Sequence, residues 1–182
     1  MNPLFIFETH PVQYRAPVYR ELQRIKPDAF HVYYASDCSV RGHLDRGFQK
    51  AMSWDVPLLD GYPCTVLNNE RGQPLTTWNS LHGKGVFSLL RARRPRAILL
   101  CQFNYAFSMA AYRAAMVLRI PIWIKMETQD EATKRPPLKS LARDIAYRAL
   151  YLPIAHAFFI GTRNREHLSR HGLKSGQLTR SP

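Results

Sequence analysis

One repeated order constrains this chain most. Short, largely apolar runs recur, each followed by polar residues and then a helical stretch: Leu4–Phe7 (LFIF), Ala97–Cys101 (AILLC), Ile122–Met126 (IWIKM, broken only by Lys125) and Ala157–Ile160 (AFFI). Runs that do not alternate with polar residues suit strands buried on both faces, as in a parallel sheet. Strands alternating with helices give an α/β fold with a mainly parallel sheet. At 182 residues and 46% hydrophobic, the chain can bury one good core, so a single domain over residues 1–182 is expected.

Taken in order, the first strand leads into Glu8-Thr9-His10, then Pro11, Gln13, Tyr14 and Arg15. Pro17 suits the first turn of a helix, in which Val18, Leu22 and Ile25 recur at helical spacing. A second strand is expected over Ala29–Ala35. Ser36 to Ser53 has no clear period and is expected to be a long loop. Trp54–Tyr62 is expected to be a strand ending at Asp60-Gly61, with another short strand at Cys64–Leu67. A helix over Val86–Arg93 stops before Arg94-Pro95, because a residue before proline is pushed out of α space. A helix over Ala106–Arg119 separates the strands Ala97–Cys101 and Ile122–Met126. Leu138–Leu150 is amphipathic, with Leu138, Leu141, Ile145 and Leu150 on one face. The expected role of that face is core packing, with a membrane surface as the alternative for a basic amphipathic helix. A last helix, about Asn164 to His171, precedes a short strand at Gln177–Thr179.

Composition excludes several classes. No apolar run approaches the length of a membrane span. The N-terminus shows no basic region followed by a long apolar segment, and Cys38, Cys64 and Cys101 form neither a disulfide framework nor a zinc pattern. A reducing, cytoplasmic setting is expected. The formal net charge is +13, with a cluster at Arg91, Arg93, Arg94 and Arg96. Such a charge favours polyanions, and three readings stay open: a solvated helix end, an anionic membrane surface at the inner face of the membrane, and nucleic acid. No nucleic-acid-binding motif accompanies the charge, so no nucleic-acid partner is expected. Walker A is absent. Gly83-Lys84-Gly85 lacks the third glycine of a dinucleotide fingerprint. His167 and His171 stand four apart on a helix without a third ligand nearby in sequence, so no metal is expected.

If the strands are parallel, the loops after Phe7, Cys101 and Met126 share the carboxyl edge of the sheet, where ligands bind. That edge carries the candidate residues. His10 and Glu127 are the candidate catalytic groups, as an imidazole titrating near neutrality and a carboxylate base. Gln13, Tyr14, Gln102 and Asn104 are candidate substrate contacts. Arg15 is expected to cap or bridge locally, and Glu8 to pair with a nearby arginine.

Five segments carry a family resemblance: THPVQYRAPVYRELQ from Thr9, WDVPLLDGYPCTVLNN from Trp54, RARRPRAILL from Arg91, IPIWIKMET from Ile120 and FFIGTRNREHLSRHG from Phe158. In their order and spacing they resemble the N-terminal half of a family-4-like glycosyltransferase of the two-domain GT-B type. The resemblance implies a Rossmann-like sheet with helices on both faces, acting as the acceptor-side domain of a retaining sugar transferase. The donor would be a nucleotide sugar as co-substrate, with no cofactor, and the acceptor a glycan or lipid-linked molecule. It adds Asp45 to the candidate substrate contacts, with Gly47-Phe48 and Trp54-Asp55 completing the family pattern. The family's paired glutamates, spaced E-x7-E, are absent: Glu127, Glu131 and Glu166 are each followed eight residues on by a basic residue. A C-terminal donor-binding domain is therefore expected to lie outside this chain, which alone would be inactive. The rival reading is a non-enzymatic α/β module for an anionic ligand or partner.

Overall fold

Seven parallel strands form one sheet in the order β5-β2-β1-β6-β7-β8-β9. They are β1 (Leu4–Glu8), β2 (Phe30–Tyr34), β5 (Cys64–Val66), β6 (Ala97–Leu100), β7 (Ile122–Lys125), β8 (Ile154–Phe159) and β9 (Leu178–Arg180). The helices are α1 (Ala16–Ile25), α2 (Val86–Arg93), α3 (Ala106–Leu118), α4 (Pro137–Tyr151) and α5 (Thr162–Arg170). The computed structural model describes residues 2–41, 43–45, 50–52, 56–71, 75–130 and 136–181, with 43–45 and 50–52 as backbone only. The α/β, Rossmann-like fold expected from the sequence is the fold observed.

The winding explains where a site can form. From β1 the chain moves outward through β2 to β5, then returns to β6 and moves outward on the other side through β7, β8 and β9. The direction reverses between β1 and β6, which pair in register from Leu4 opposite Ala97 to Phe7 opposite Leu100. At such a switch point the loops diverge and leave a crevice at the carboxyl ends. All five residues of β1 are buried. Alternation divides them between two cores. Phe5 and Phe7 join Ile98, Leu100, Ile122 and Ile124 beneath α2 and α3, with Tyr151 of α4 and Leu168 of α5. Leu4 and Ile6 join Val32, Ala97 and Cys101 beneath Ala16 and Tyr19 of α1.

Several expectations are corrected. Trp54 and Asp55 lie outside the described residues, and 56–62 forms turns rather than a strand. Its carbonyls bond to Arg20, which reaches Pro57 O and, at 3.0 Å, Asp60 O, so they are spent on a side chain instead of a ladder. Gly61 turns the chain at φ 83°. The expected loop at Ser36–Ser53 contains a small antiparallel hairpin, β3 (His43–Asp45) with β4 (Lys50–Met52). Gly47-Phe48 lies outside the described residues. Arg94 ends α2 in the left-handed region, φ 43°, rather than extended. In α1 the buried residues are Ala16 and Tyr19, while Val18 and Ile25 face solvent. In α4 the buried residue is Tyr151, and Leu138, Leu141 and Ile145 are exposed instead of packing the core. Periodicity identified both stripes, but only one member of each, Leu22 in α1 and Leu150 in α4, packs against the core, and the rest face outward.

Gly83-Lys84-Gly85 has a packing role. A Cβ on Gly83 would lie 2.1 Å from Ala110 Cβ of α3, and Gly85 precedes α2 with φ 85°. Gly83 thus lets the segment entering α2 lie against α3, while Gly85 supplies the left-handed turn before the helix. Gly83→Ala is expected to destabilise the chain by about 1–3 kcal/mol. Gly176→Ala, where nothing stands within 4 Å of the added atom, should change stability by less than about 0.5 kcal/mol. Urea unfolding of the two variants checks this. Equal midpoints would show that the α2–α3 approach does not need Gly83.

Candidate functional site

At the switch point a cleft of about 670 Å³ opens, with Tyr14 and Arg15 after β1, Gln102 and Asn104 after β6, and Glu127 and Thr128 after β7. The far wall is α4, through Ala146, Tyr147 and Leu150. The convergence of three loops expected from parallel strands is therefore present.

The first loop is fixed from below. Glu8 ends β1 with 3% exposure, and its carboxylate accepts hydrogen bonds from Arg15 and from the Tyr19 hydroxyl. A carboxylate taken out of water needs such donors, since the desolvation penalty is several kcal/mol. Burial works against charge on Arg15, but Glu8 overrules it and holds the guanidinium firmly protonated. Burial, reinforced by Glu8, pushes the Tyr19 hydroxyl and the Cys101 thiol well up. So Arg15 bridges to Glu8, as expected, and also presents a fixed cation to the cleft.

A second chain of bonds joins the β1 and β6 loops. Gln102 Nε2 donates to Thr9 Oγ1 at 2.5 Å, and Thr9 Oγ1 lies 2.9 Å from His10 Nδ1. Asn104 Nδ2 donates to Gln102 Oε1 at 3.4 Å. Since Thr9 takes a hydrogen bond from Gln102, its own proton can go to His10 Nδ1, which leaves the ring proton on Nε2.

The third loop is clamped from outside. Asp130 Oδ1 accepts from Arg143 at 2.5 Å and from His167 Nδ1 at 2.8 Å. His167 Nε2 takes the Tyr151 hydroxyl at 3.0 Å. Arg143 also lies 4.6 Å over the Tyr147 ring, and Asn164 Nδ2 donates to Thr128 O at 2.8 Å. Burial opposes the charge on Asp130, yet Arg143 and His167 hold its carboxyl at about 2. Burial pushes His167 below its usual value, against the pull of Asp130.

Asp130, His167 and His171 bring ligand atoms within 4.8 Å of one another, the one such trio among the described residues. The donor set does not fit a cation. Both His167 nitrogens are engaged, His171 spends its own on His167 O and Asp144, and a guanidinium already sits on Asp130. The trio is a clamp holding the β7 loop to α4 and α5.

Of the candidate residues, Tyr14, Gln102, Asn104 and Glu127 line the cleft. His10 and Gln13 are outside its lining: His10 is half-buried beside Thr9, and Gln13 is exposed. Asp45 pairs with Lys50 through the hairpin backbone, and its side chain lies outside the described residues. Arg15, which the sequence placed at this carboxyl edge facing a cleft, does line it, whereas the α4 wall was not singled out by sequence. The signal for Arg15 was an acid closing an apolar run, which needs a cation nearby.

The fold recurs in solved structures. The chain is similar to the UDP-GlcNAc 2-epimerase of Neisseria meningitidis bound to UDP-GlcNAc, at 15% identity and TM-score 0.53, covering 98% of this chain and 45% of that one. It is similar to the UDP-N-acetylglucosamine 2-epimerase of Rickettsia bellii at 14% identity and TM-score 0.55, over 99% and 44%. It is also similar to HepE of Anabaena in complex with UDP and glucose, at 12% identity and TM-score 0.56, over 99% and 44%. The chain thus spans under half the length of these neighbours, and at such identity the likeness is one of fold. No protein-family model matches the sequence, and no curated protein matches it.

The clamp gives a pH dependence. Asp130 and His167 both bind protons less readily folded than unfolded. Their contribution is therefore full above the unfolded values and is lost as pH falls. The loss begins below about 6.5, where unfolded His167 charges, and deepens between about 4 and 2 as Asp130 protonates. Urea midpoints across this range should fall with pH, and His167→Gln should shrink the loss between about pH 7 and pH 5. An undiminished loss in that variant would remove His167 from the account.

Proposed function

We propose that the chain is the acceptor-side domain of a nucleotide-sugar-dependent glycosyltransferase. The observation that carries this reading is the makeup of the cleft: a guanidinium, a carboxylate, two carboxamides and a phenol, beside the aromatic walls Phe103 and Tyr147. Sugar hydroxyls both donate and accept, and sugar C–H faces lie well against aromatic rings. In this reading Gln102 and Asn104 bond hydroxyl groups, and Tyr14 closes over the ring. Arg15 meets a phosphate oxygen, and Glu127 accepts the proton of the attacking hydroxyl. Glu127 is suited to that role, being exposed in the cleft and engaged in no hydrogen bond or ion pair among the described residues. His10 acts at the rim, as a positioning residue through Thr9 and Gln102.

The solved neighbours support a nucleotide-sugar donor, since their structures hold UDP-GlcNAc or UDP with glucose. Because this chain covers under half of each, the proposal includes a further domain that completes the donor site. The acceptor is a glycan or lipid-linked sugar of a cell-surface polysaccharide, modified on the cytoplasmic side. A module for a purely anionic ligand is less well served, because Glu127 would repel an anion drawn to Arg15.

Ligand-observed NMR on the whole 182-residue chain, with neutral oligosaccharides, UDP-glucose and UDP-GlcNAc as probes, tests the proposal. Saturable oligosaccharide binding is expected, weakened roughly threefold to tenfold by Asn104→Ala or Glu127→Gln. Neither nucleotide sugar should turn over. Binding of inorganic phosphate with no sugar binding would overturn the acceptor assignment. Turnover by this chain would overturn the assignment of the donor site to another domain.

A further inference from the structure

The side of α4 turned away from the body carries an uncovered apolar stripe. Leu138 is 78% exposed, Leu141 57%, Ile145 61% and Leu152, just past the helix, 87%. Ala142, Ala146 and Ala149 are exposed between them. At 100° per residue these positions fall in an arc of about 140°, wider than a coiled-coil seam needs. Lys139 lies just beyond one border of the arc and Arg148 just beyond the other, both exposed. The single acid of α4, Asp144, projects from the opposite side, where it meets Arg170 and His171. The inner side is fully engaged, through Arg143, Tyr147, Leu150 and Tyr151. The stripe is therefore not residue left over from core packing.

Charge selects what covers it. Leu138, Ala142, Ile145, Ala149 and Leu152 alternate by four and three, the spacing of a helix–helix seam. A second copy docked there would bring Lys139 and Arg148 against the same two cations, on chains of formal net charge +13. No acid stands on either border to relieve this. A bilayer with anionic headgroups meets both needs. Its acyl boundary takes the leucines, and its phosphates take the flanking cations. The helix has 15 residues, or about 22 Å, short of the roughly 30 Å hydrocarbon core. No helix among the described residues is long and apolar enough to cross a membrane. This geometry is that of a helix lying in the interface plane.

We propose that α4 docks the chain on an anionic phospholipid surface, with the stripe from Leu138 to Leu152 inserted and Lys139 and Arg148 on the phosphates. Ala146, Tyr147 and Leu150 of the same helix form a wall of the switch-point cleft. Docking therefore holds the mouth of the cleft at the headgroup layer. The inference stands apart from the sugar chemistry proposed above, since Leu138, Leu141, Ile145 and Leu152, which carry the insertion, lie outside the cleft lining.

Vesicle flotation of the whole chain tests it. The vesicles are phosphatidylcholine alone, or phosphatidylcholine with phosphatidylglycerol. Binding is expected to the mixed vesicles only, and to weaken as salt rises from about 0.1 M to about 1 M. The double variant Leu141→Glu with Ile145→Glu changes exposed positions only, and circular dichroism should show an unchanged fold. It should lose binding by at least about tenfold, as should Lys139→Glu with Arg148→Glu. Undiminished flotation of both variants would overturn the proposal, because the net charge alone would then account for binding. So would light scattering that finds a dimer abolished by the leucine–isoleucine variant while neither vesicle is bound.

Discussion

The buried carboxylate of Glu8 is the interaction on which the rest depends. It stands where β1 ends, in the middle of the sheet, at the place where the winding reverses. At 3% exposure its oxygens are cut off from water and need donors from the protein. Arg15 and Tyr19 supply them from the first turns of α1. That requirement sets the path of the loop between strand and helix, so Tyr14 and Arg15 stand at the edge of the cleft. It also explains why Tyr19, not Val18, lies on the inner side of α1. A helix turned to bury Val18 would leave the carboxylate without a hydroxyl partner. The carboxylate thus decides local geometry and cleft chemistry together.

The sheet was legible in the sequence for a plain reason. LFIF and AILLC lie on central strands covered on both faces, where continuous burial leaves a continuous apolar run, and IWIKM beside them keeps Ile122, Ile124 and Met126 buried. Their common direction then places three loops on one edge, and Gln102, Asn104 and Glu127 follow from that alone. What was not legible is which side of a helix the body covers. In α1 and α4 most of the apolar stripe faces outward, with only Leu22 and Leu150 against the core, and the inner sides use Tyr19, Tyr147 and Tyr151. These rings bury large apolar area while their hydroxyls reach polar partners. Periodicity counts them as half-polar and points the helix the wrong way. Gly83 was hidden for a similar reason: a glycine before a helix suggests phosphate binding, and its contact with Ala110 comes from a residue far along the chain.

The clamp around Asp130 connects the cleft to the outer helices. Arg143 and His167 hold the β7 loop down, and the same Arg143 stacks on Tyr147, which walls the cleft. The position of α4 is therefore fixed from its inner side by charge-assisted hydrogen bonds, leaving its outer side free of any packing duty. One helix then serves two surfaces, a wall of the switch-point cleft and an apolar stripe flanked by cations. The likeness in fold to nucleotide-sugar enzymes spans nearly all of this chain but under half of theirs.

The central claim is that the switch-point cleft is where this protein meets its ligand. Backbone amide NMR shifts, followed while oligosaccharide and nucleotide sugar are titrated into the isotope-labelled chain, test it most directly. The account predicts that the largest shifts gather at Tyr14–Arg15, Gln102–Asn104 and Glu127–Thr128, three segments remote in sequence and joined only at this edge of the sheet. Shifts gathered instead at the opposite edge, around the groove at Asp28, His31 and Arg93, would contradict it.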